Sequence, residues 1–218
     1  MDQTDKDRII QRYDARLARY GCSIETLASG SVQHQRMRHQ VLVEVGVTSG
    51  SALLDLGCGF GDLYDYLCEH DLQVQYTGYD IHPKLIELAR EKHPQAEFQC
   101  KDIQISAFPE FDFIVSSSAF NLQLSANENY PFIDEIMNIC YAHARQGVAI
   151  DFLSSYVDYE TSEAFHYNPE RIFSMAKKIT KRVCLRHDYP LYEFCIYLYP
   201  DFKGWRGADA TAKGLRHV

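Results

Sequence analysis

The sequence lacks an excess of positive charge. It has 22 lysine and arginine residues against 30 aspartate and glutamate residues, which gives a formal net charge of −8. Proteins that bind a nucleic-acid backbone usually present a basic face, because lysine and arginine neutralise the phosphates that they contact. We therefore expect no nucleic-acid partner and favour a small-molecule substrate.

Long apolar runs and paired cysteines are also missing. No stretch approaches the roughly 20 apolar residues that a membrane span needs, and the charged first twelve residues do not resemble a signal peptide. The seven cysteines include no CxxC pair, and an odd number without a framework favours a reducing compartment. We expect a cytoplasmic protein, a monomer or homodimer, with no membrane partner.

Residues at metal-ligand spacing are absent too. The nine histidines form no HxH or HxxxH pair and no cluster with cysteine. Asp151, in a predicted buried strand, is the one residue that suggests a carboxylate-bound magnesium ion. We expect no metal site.

What the sequence does contain is a regular alternation of apolar runs and amphipathic segments over 218 residues, enough for one domain with a large core. The predicted helices are 5–20, 32–45, 62–69, 83–92, 130–144 and 169–179. The predicted strands are 51–56, 74–79, 96–100, 111–116, 147–152, 181–189 and 193–199.

The character of the strands predicts the fold class. Several are so apolar that both faces must be buried, as in a parallel sheet covered by helices. The last two are separated only by residues 190–192, so they form a hairpin and one late strand runs antiparallel. We predict an α/β fold with a doubly wound, seven-stranded, mostly parallel sheet that ends in an antiparallel hairpin.

The chain shows no linker that would divide it. We predict one domain over 1–201, with N-terminal helices in 1–48 and a polar, aromatic insert at 154–168 that forms a lid. Residues 202–218 are rich in Gly, Lys and Arg, and we expect a loosely held tail there.

A glycine-rich turn is the central motif. The run Asp-Leu-Gly-Cys-Gly-Phe-Gly, from Asp55 to Gly61, follows the first predicted strand and opens a helix. Glycines at such a junction allow a sharp turn and the close approach of a ligand. The spacing is GxGxG, whereas a dinucleotide-binding Rossmann fold places its third glycine one residue later. The motif therefore favours a nucleoside cofactor other than NAD.

Two acidic residues follow at the ends of the next strands. Asp80 closes the second predicted strand, where a carboxylate can accept hydrogen bonds from both ribose hydroxyls. Asp102 follows the third strand, near the expected position of an adenine ring. Loop aspartates that merely cap helices are the plainer alternative.

Together these residues resemble the class I S-adenosylmethionine-dependent methyltransferases, and the resemblance covers nearly the whole chain. It implies a Rossmann-like methyltransferase fold with S-adenosylmethionine as the cofactor. By this resemblance, the three glycines line the methionine portion, Asp55 supports its amine, Asp80 takes the ribose, and Asp102 with Ile103 takes the adenine. The residues expected to contact the cofactor are Arg38, Asp55, Gly57, Gly59, Gly61, Asp80, Ile81, Asp102, Ile103 and Ser117.

Arg38 enters this set through a second likeness. Similar small bacterial methyltransferases carry a glutamine and an arginine three residues apart in a helix before the first strand, and Gln35 and Arg38 match this pattern. An arginine there could clamp the cofactor carboxylate with two hydrogen bonds. A solvated arginine on an amphipathic helix is an equal alternative.

The expected acceptor site lies beyond the fourth strand, at residues 116–121. Asn121 could hydrogen-bond the cofactor or the nucleophile, or simply cap a turn. His166 beside Tyr167 is the best candidate for a base, so the predicted catalytic residues are Asn121, His166 and Tyr167. Further tyrosines and a histidine could line a pocket for an ammonium or aromatic group. They are Tyr156, Tyr159, His187 and Tyr192.

The expected reaction is in-line methyl transfer to an amine, an amino acid or a phenolic acceptor, in which positioning supplies much of the rate. Two alternatives stay open. The cofactor's own amine could attack its aminocarboxypropyl chain and release methylthioadenosine, or the protein could bind the cofactor without turnover.

Overall fold

The computed structural model describes residues 1–125 and 128–201, and the tail expected at 202–218 lies outside the described residues. The helices in these ranges are α1 (Gln3–Tyr20), α2 (Ile24–Leu27), α3 (Val32–Val43), α4 (Asp62–Glu69), α5 (Pro83–Lys92), α6 (Asn129–His143) and α7 (Pro169–Ile179). The strands are β1 (Ala52–Leu56), β2 (Gln75–Asp80), β3 (Glu97–Cys100), β4 (Phe111–Ser116), β5 (Ala144–Leu153), β6 (Arg182–Arg186) and β7 (Glu193–Tyr199).

These strands form one seven-stranded sheet in the order β3-β2-β1-β4-β5-β7-β6. The strands from β3 to β5 pair in parallel, and β7 runs antiparallel between β5 and β6. The predicted fold class and its terminal hairpin are confirmed. The order reverses at β1, so the chain moves outward from the centre of the sheet in both directions and leaves a crevice at this switch point.

Helices cover both faces of the sheet because successive side chains of a strand point to opposite sides. In β1, Leu54 packs into the core that α6 and α7 close, with Ile133 and Ile172. Leu53 packs into the core on the other face, where Leu67 of α4 contributes. Two-sided burial explains why β4 and β5 are so apolar.

Most element limits agree with the sequence prediction to within a few residues, and one helix was missed. The four-residue α2 is too short to show helical periodicity. Strand β6 ends at Arg186, which pairs with Cys195, rather than at residue 189. No helix in the described ranges is both long and apolar enough to cross a bilayer.

The segment 154–168 packs against the chain that precedes α6. Ala164 forms an isolated bridge with Leu122, and the Phe165 N–H donates to the Asn121 carbonyl oxygen over 2.9 Å. Tyr167, near its end, is completely buried. The expected role of this segment as a lid stays a prediction.

Candidate active site at the carboxyl ends of the strands

A pocket lies where β1, β2, β3 and β4 end. One wall is the glycine turn after β1, and the opposite wall is the loop after β4. Side chains from α1, α2 and α3 cover it. Loops at this edge of a doubly wound sheet are where ligands bind, because the crossover connections diverge there.

All three glycines of the turn have left-handed backbone. Gly57, Gly59 and Gly61 have φ angles of 77°, 54° and 81°, a region that residues with a Cβ rarely adopt. A Cβ on Gly57 would also stand 2.4 Å from the Cβ of Ala119, in the loop after β4. The Gly57 N–H donates to the Tyr79 carbonyl oxygen over 2.7 Å, which folds the turn back over the end of β2. Two walls of the pocket thus touch at Gly57.

Asp55 is a buried carboxylate in the pocket wall. It is 2% exposed, and its Oδ2 accepts a hydrogen bond of 2.7 Å from the Tyr76 hydroxyl. Burial raises the pKa of Asp55 to about 7, the Tyr76 hydrogen bond opposes the rise, and the nearby Asp80 and Asp62 carboxylates add to it. Three acidic groups therefore repel one another along one side of the pocket, and a bound cation would relieve that repulsion.

Asp80, at the end of β2, is held by backbone donors. Its Oδ2 accepts from the Gly59 N–H over 3.1 Å, and its Oδ1 accepts from the His82 N–H over 2.9 Å. Burial raises its pKa, and these two hydrogen bonds act in the opposite direction. Each carboxylate oxygen keeps a further lone pair, so the group can accept ligand hydroxyls without releasing the turn.

The far end of the pocket combines one carboxylate with apolar side chains. Asp102 accepts from the Gln104 N–H over 2.9 Å and forms an ion pair of 2.5 Å with Lys6 of α1. The apolar residues of the pocket lining include Ile81, Leu85, Ile103, Leu124, Phe132 and Ile136. This combination suits a flat, largely apolar ring with a hydrogen-bond donor at its edge.

Helix α1 roofs the pocket. Ile9 and Tyr13 line it, and the Tyr13 ring meets the His82 ring edge to face at 6.4 Å. The helix is fastened beyond the pocket as well, because the Ser125 N–H donates to the Asp5 carboxylate and Arg12 forms an ion pair with Glu163. These contacts connect α1 to the segment before α6 and to the insert.

Comparison with known proteins identifies the family of this chain. The family profile described as "Methyltransferase domain" matches residues 53–143. A protein of Mycobacterium tuberculosis named "Putative methyltransferase Rv1506c" is 34% identical over 150 residues, which cover 65% of this chain and 89% of that protein. The chain belongs to the class I S-adenosylmethionine-dependent methyltransferases.

Solved methyltransferases share its fold. Magnesium protoporphyrin IX methyltransferase of Synechocystis, determined with bound S-adenosylhomocysteine, superimposes with a TM-score of 0.61 at 15% identity, covering 86% of this chain and 91% of that one. A TehB-like methyltransferase of Corynebacterium glutamicum gives a TM-score of 0.56 at 16% identity, covering 91% and 100%. At these identities the likeness concerns the fold alone.

S-adenosylmethionine is the cofactor of this methyltransferase, and the pocket residues fit it. The sulfonium and the ammonium group are cationic, and the carboxylates of Asp55, Asp62 and Asp80 in the pocket lining would balance that charge. Eight of the ten residues expected to contact the cofactor line the pocket. They are Asp55, Gly57, Gly59, Asp80, Ile81, Asp102, Ile103 and Ser117.

Gly61 and Arg38 lie outside the pocket. A Cβ on Gly61 would meet the rings of Phe98 and His93, so this glycine serves helix–sheet packing. The Arg38 guanidinium is 3% exposed and forms an ion pair of 3.0 Å with Glu193. The predicted clamp on the cofactor carboxylate is corrected: a partner 155 residues away already engages the arginine.

None of the three predicted catalytic residues lines the pocket. The Asn121 Oδ1 accepts from the Leu153 N–H over 3.0 Å, which is a structural role. A His166 ring nitrogen lies 2.8 Å from the Ser154 carbonyl oxygen. Tyr167 is fully buried, and its hydroxyl donates to the Phe120 carbonyl oxygen over 3.0 Å. A phenol buried in the core cannot reach an acceptor, so its assignment is corrected.

Sequence reasoning missed several residues of the pocket. Asp62 directly follows the glycine turn, a position that could have identified it, and Gln35 of α3 donates to it over 2.9 Å. His39 also lines the pocket, and burial lowers its pKa to about 3, so its imidazole is neutral. Tyr13, which lines the pocket, and Lys6, which pairs with Asp102, could not be identified from the sequence because nothing in α1 indicates where the helix docks.

Proposed function

We propose that this methyltransferase transfers the methyl group of S-adenosylmethionine to a small molecule. The observation that carries the proposal is that helix α1 covers the pocket. Helix α1 is held at the pocket by the Lys6–Asp102 pair and beyond the pocket by the Arg12–Glu163 pair. A site enclosed in this way favours an acceptor that fits beneath a helix. The net charge of −8 also gives little support to a nucleic-acid substrate.

When bound, S-adenosylmethionine supplies a methyl group on a good leaving group. The role of the protein is then to hold the two reactants in line, which can provide much of the rate enhancement. In this proposal the glycine turn and Asp55 hold the methionine end, and Asp80 holds the ribose. Residues 117–120, opposite the glycine turn, border the acceptor.

Exclusion of water is the second role of the chain. Ile9, Tyr13 and Phe120 present apolar surface around the pocket. The neutral His39 adds no positive charge that would repel a sulfonium. An amine acceptor must lose a proton before it attacks, and the buried carboxylates near the methionine end stabilise its ammonium form. We therefore favour acceptors whose nucleophilic atom is uncharged near neutral pH or is readily deprotonated.

The test incubates the purified protein with S-adenosylmethionine alone, and then with a panel of amines, amino acids and phenols, while products are followed by mass spectrometry. The proposal predicts S-adenosylhomocysteine only when an acceptor is present, together with an acceptor heavier by one methylene unit. Methylthioadenosine formed without an acceptor, above the non-enzymatic background, would instead support intramolecular attack on the aminocarboxypropyl chain.

A matched pair of variants shows whether turnover belongs to this pocket. Asp80→Asn should lower product formation about tenfold or more when S-adenosylmethionine is below saturation. Asp134→Asn, which makes the same change at an exposed position on α6, should leave it intact. Product formed at the wild-type rate in Asp80→Asn would place turnover outside this pocket, and equal loss in both variants would point to a general defect.

A further inference from the structure

A buried aspartate stands behind the loop that follows β4. Asp151, on β5, is 2% exposed and does not line the pocket. Its Oδ1 accepts a hydrogen bond of 2.5 Å from the backbone N–H of Ser118. Ser118 lines the pocket and has φ 55°, a left-handed conformation that is unfavourable for a residue with a Cβ. A conformation of this kind persists when surrounding contacts hold it in place.

The conformation of Ser118 determines where Ala119 lies. The Cβ of Ala119 occupies the space next to Gly57, so close that a Cβ on Gly57 would stand 2.4 Å away. The loop after β4 and the glycine turn are thus in contact across the methionine end of the pocket. A change in the backbone at Ser118 would alter the separation of these two walls.

Arg38 lies between Asp151 and the connection from α2 to α3, which forms part of the pocket lining. Its Nη2 donates to the Ser29 carbonyl oxygen over 2.7 Å, and Ser29 lies in the pocket lining between α2 and α3. Its Nη1 pairs with Glu193 over 3.0 Å, and its Nε lies 3.8 Å from Asp151 Oδ2. Neither Arg38 nor Asp151 lines the pocket, yet each holds a backbone group of a residue that does.

We infer that Asp151 and Arg38 are positioning residues that hold two parts of the cofactor pocket lining in place, Asp151 the loop after β4 through the Ser118 N–H and Arg38 the connection between α2 and α3 through the Ser29 carbonyl. These roles rest on the assignment of the pocket to S-adenosylmethionine above. Burial and the Glu193 carboxylate raise the pKa of Asp151, and the Arg38 guanidinium opposes the rise. Arg38 therefore has two roles. It donates to the Ser29 carbonyl oxygen, and it favours the ionised form of Asp151, which accepts most strongly from an N–H group.

Asp112 provides a matched control. It too is an aspartate with an arginine partner, Arg145 at 3.0 Å, and its Oδ2 accepts from the Ala52 N–H over 2.9 Å. Ala52 is the first residue of β1, so this contact lies at the amino end of the strand, whereas the pocket lies at the carboxyl ends. Asp112→Ala removes the same kind of hydrogen bond without touching either wall.

The experiment compares wild type with Asp151→Ala, Asp151→Asn and Asp112→Ala by two measurements. Hydrogen exchange of the ligand-free proteins reports on the Ser118 amide, and calorimetry gives the Kd for S-adenosylmethionine and S-adenosylhomocysteine. We expect Asp151→Ala to speed Ser118 exchange and to raise Kd, each by about tenfold or more, since one hydrogen bond to a charged group is lost. Asp151→Asn keeps an acceptor oxygen and should restore most of both values. Asp112→Ala should leave both near those of wild type.

The inference is overturned if folded Asp151→Ala binds S-adenosylmethionine as wild type does, or if Asp112→Ala has an equal effect on Kd. If Asp151→Ala does not fold, Asp151→Leu replaces it, because this change fills the space and leaves Arg38 paired with Glu193. A Ser118 amide that exchanges freely in wild type would refute the role of Asp151 without any variant. Wild type that protects this amide but binds no cofactor would refute the assigned function and leave the hold of Asp151 on the loop standing.

Discussion

The backbone N–H of Gly59 donates a hydrogen bond to Asp80 Oδ2 across 3.1 Å, which ties the glycine turn after β1 to the end of β2. The two residues are 21 positions apart in the chain and meet because β1 and β2 are parallel neighbours. The carboxylate that we assign to the ribose thus also supports the turn that we assign to the methionine end. Replacement of Asp80 should therefore weaken the contacts of the protein with both the ribose and the methionine end of the cofactor.

Replacement of Asp80 should weaken cofactor binding strongly. We expect Asp80→Ala to raise the Kd for S-adenosylmethionine about 10- to 100-fold, because hydrogen bonds to a charged group each contribute about 1.5–3 kcal/mol. Calorimetry with S-adenosylhomocysteine gives the same comparison without turnover. Asp134→Ala, on the exposed face of α6, removes an equal charge and should bind normally. An unchanged Kd in Asp80→Ala would remove Asp80 from the site.

The contact between the glycine turn and Ala119 can be separated from backbone strain. Gly57 and Gly50 both have left-handed backbone, φ 77° and φ 91°, but a Cβ on Gly50 would meet nothing within 4 Å. Gly50→Ala should therefore cost only the strain, about 1 kcal/mol in the free energy of unfolding. Gly57→Ala should cost more and should weaken S-adenosylmethionine binding about tenfold or more.

Denaturant unfolding and calorimetry measure these two effects. Ala119→Gly removes the side chain that collides with the new methyl group, so Gly57→Ala/Ala119→Gly should recover binding relative to Gly57→Ala. Equal losses of stability in Gly50→Ala and Gly57→Ala would show that the collision is unimportant.

The raised pKa of Asp55 predicts a pH dependence of binding. Its carboxylate titrates near pH 7 in the ligand-free protein, and a cationic ligand binds best to the ionised form. The affinity for S-adenosylmethionine should therefore rise as the pH increases through about 7 and then level off. The stability of the free protein should show the opposite trend. Because the pKa of Asp55 is higher in the folded state than in the unfolded state, protonation of this carboxyl favours folding. Its contribution to the free energy of unfolding is complete below the ordinary pKa of 3.8 and is lost as the pH rises to about 7.

Calorimetry between pH 6 and 8.5 tests this dependence. Asp55→Asn should flatten the profile. Tyr76→Phe removes a hydrogen bond that lowers the pKa of Asp55, so the midpoint should move to higher pH. Tyr79→Phe, a neighbouring buried tyrosine on the same strand, is the control and should leave the midpoint in place. A profile that Asp55→Asn does not change would assign the titration to another group.

Asp102 should recognise the amino group of adenine. S-inosylhomocysteine carries an oxygen where S-adenosylhomocysteine carries that amino group, so wild type should bind it about tenfold or more weakly. Asp102→Ala should bind the two ligands with similar affinity, because the discriminating acceptor is gone. Competition binding measures the ratio directly. If Asp102→Ala prefers S-adenosylhomocysteine over S-inosylhomocysteine as strongly as wild type does, another residue of the pocket recognises the adenine.

Local patterns in the chain were enough to predict much of this protein. The apolar runs, Pro83 at the start of α5 and the short connection before β7 predicted the elements and the pairing of the last two strands. Because parallel strands bring their carboxyl ends to one side of the sheet, the glycine turn, Asp55, Asp80 and Asp102 were expected to lie together. Their resemblance to the class I S-adenosylmethionine-dependent methyltransferases then predicted the cofactor.

Tertiary structure alone decided what the other side chains do. Arg38 pairs with Glu193, which is 155 positions away. Neither the sequence of α3 nor that of β7 indicates that these two side chains face each other. Tyr167 was a predicted catalytic residue, yet it forms a bridge with Ser154, directly after β5, and its side chain is fully buried in the core. Lys6 meets Asp102 only because α1 docks across the pocket. Neighbouring residues determine local backbone structure, whereas the partners of a long side chain depend on how distant elements pack.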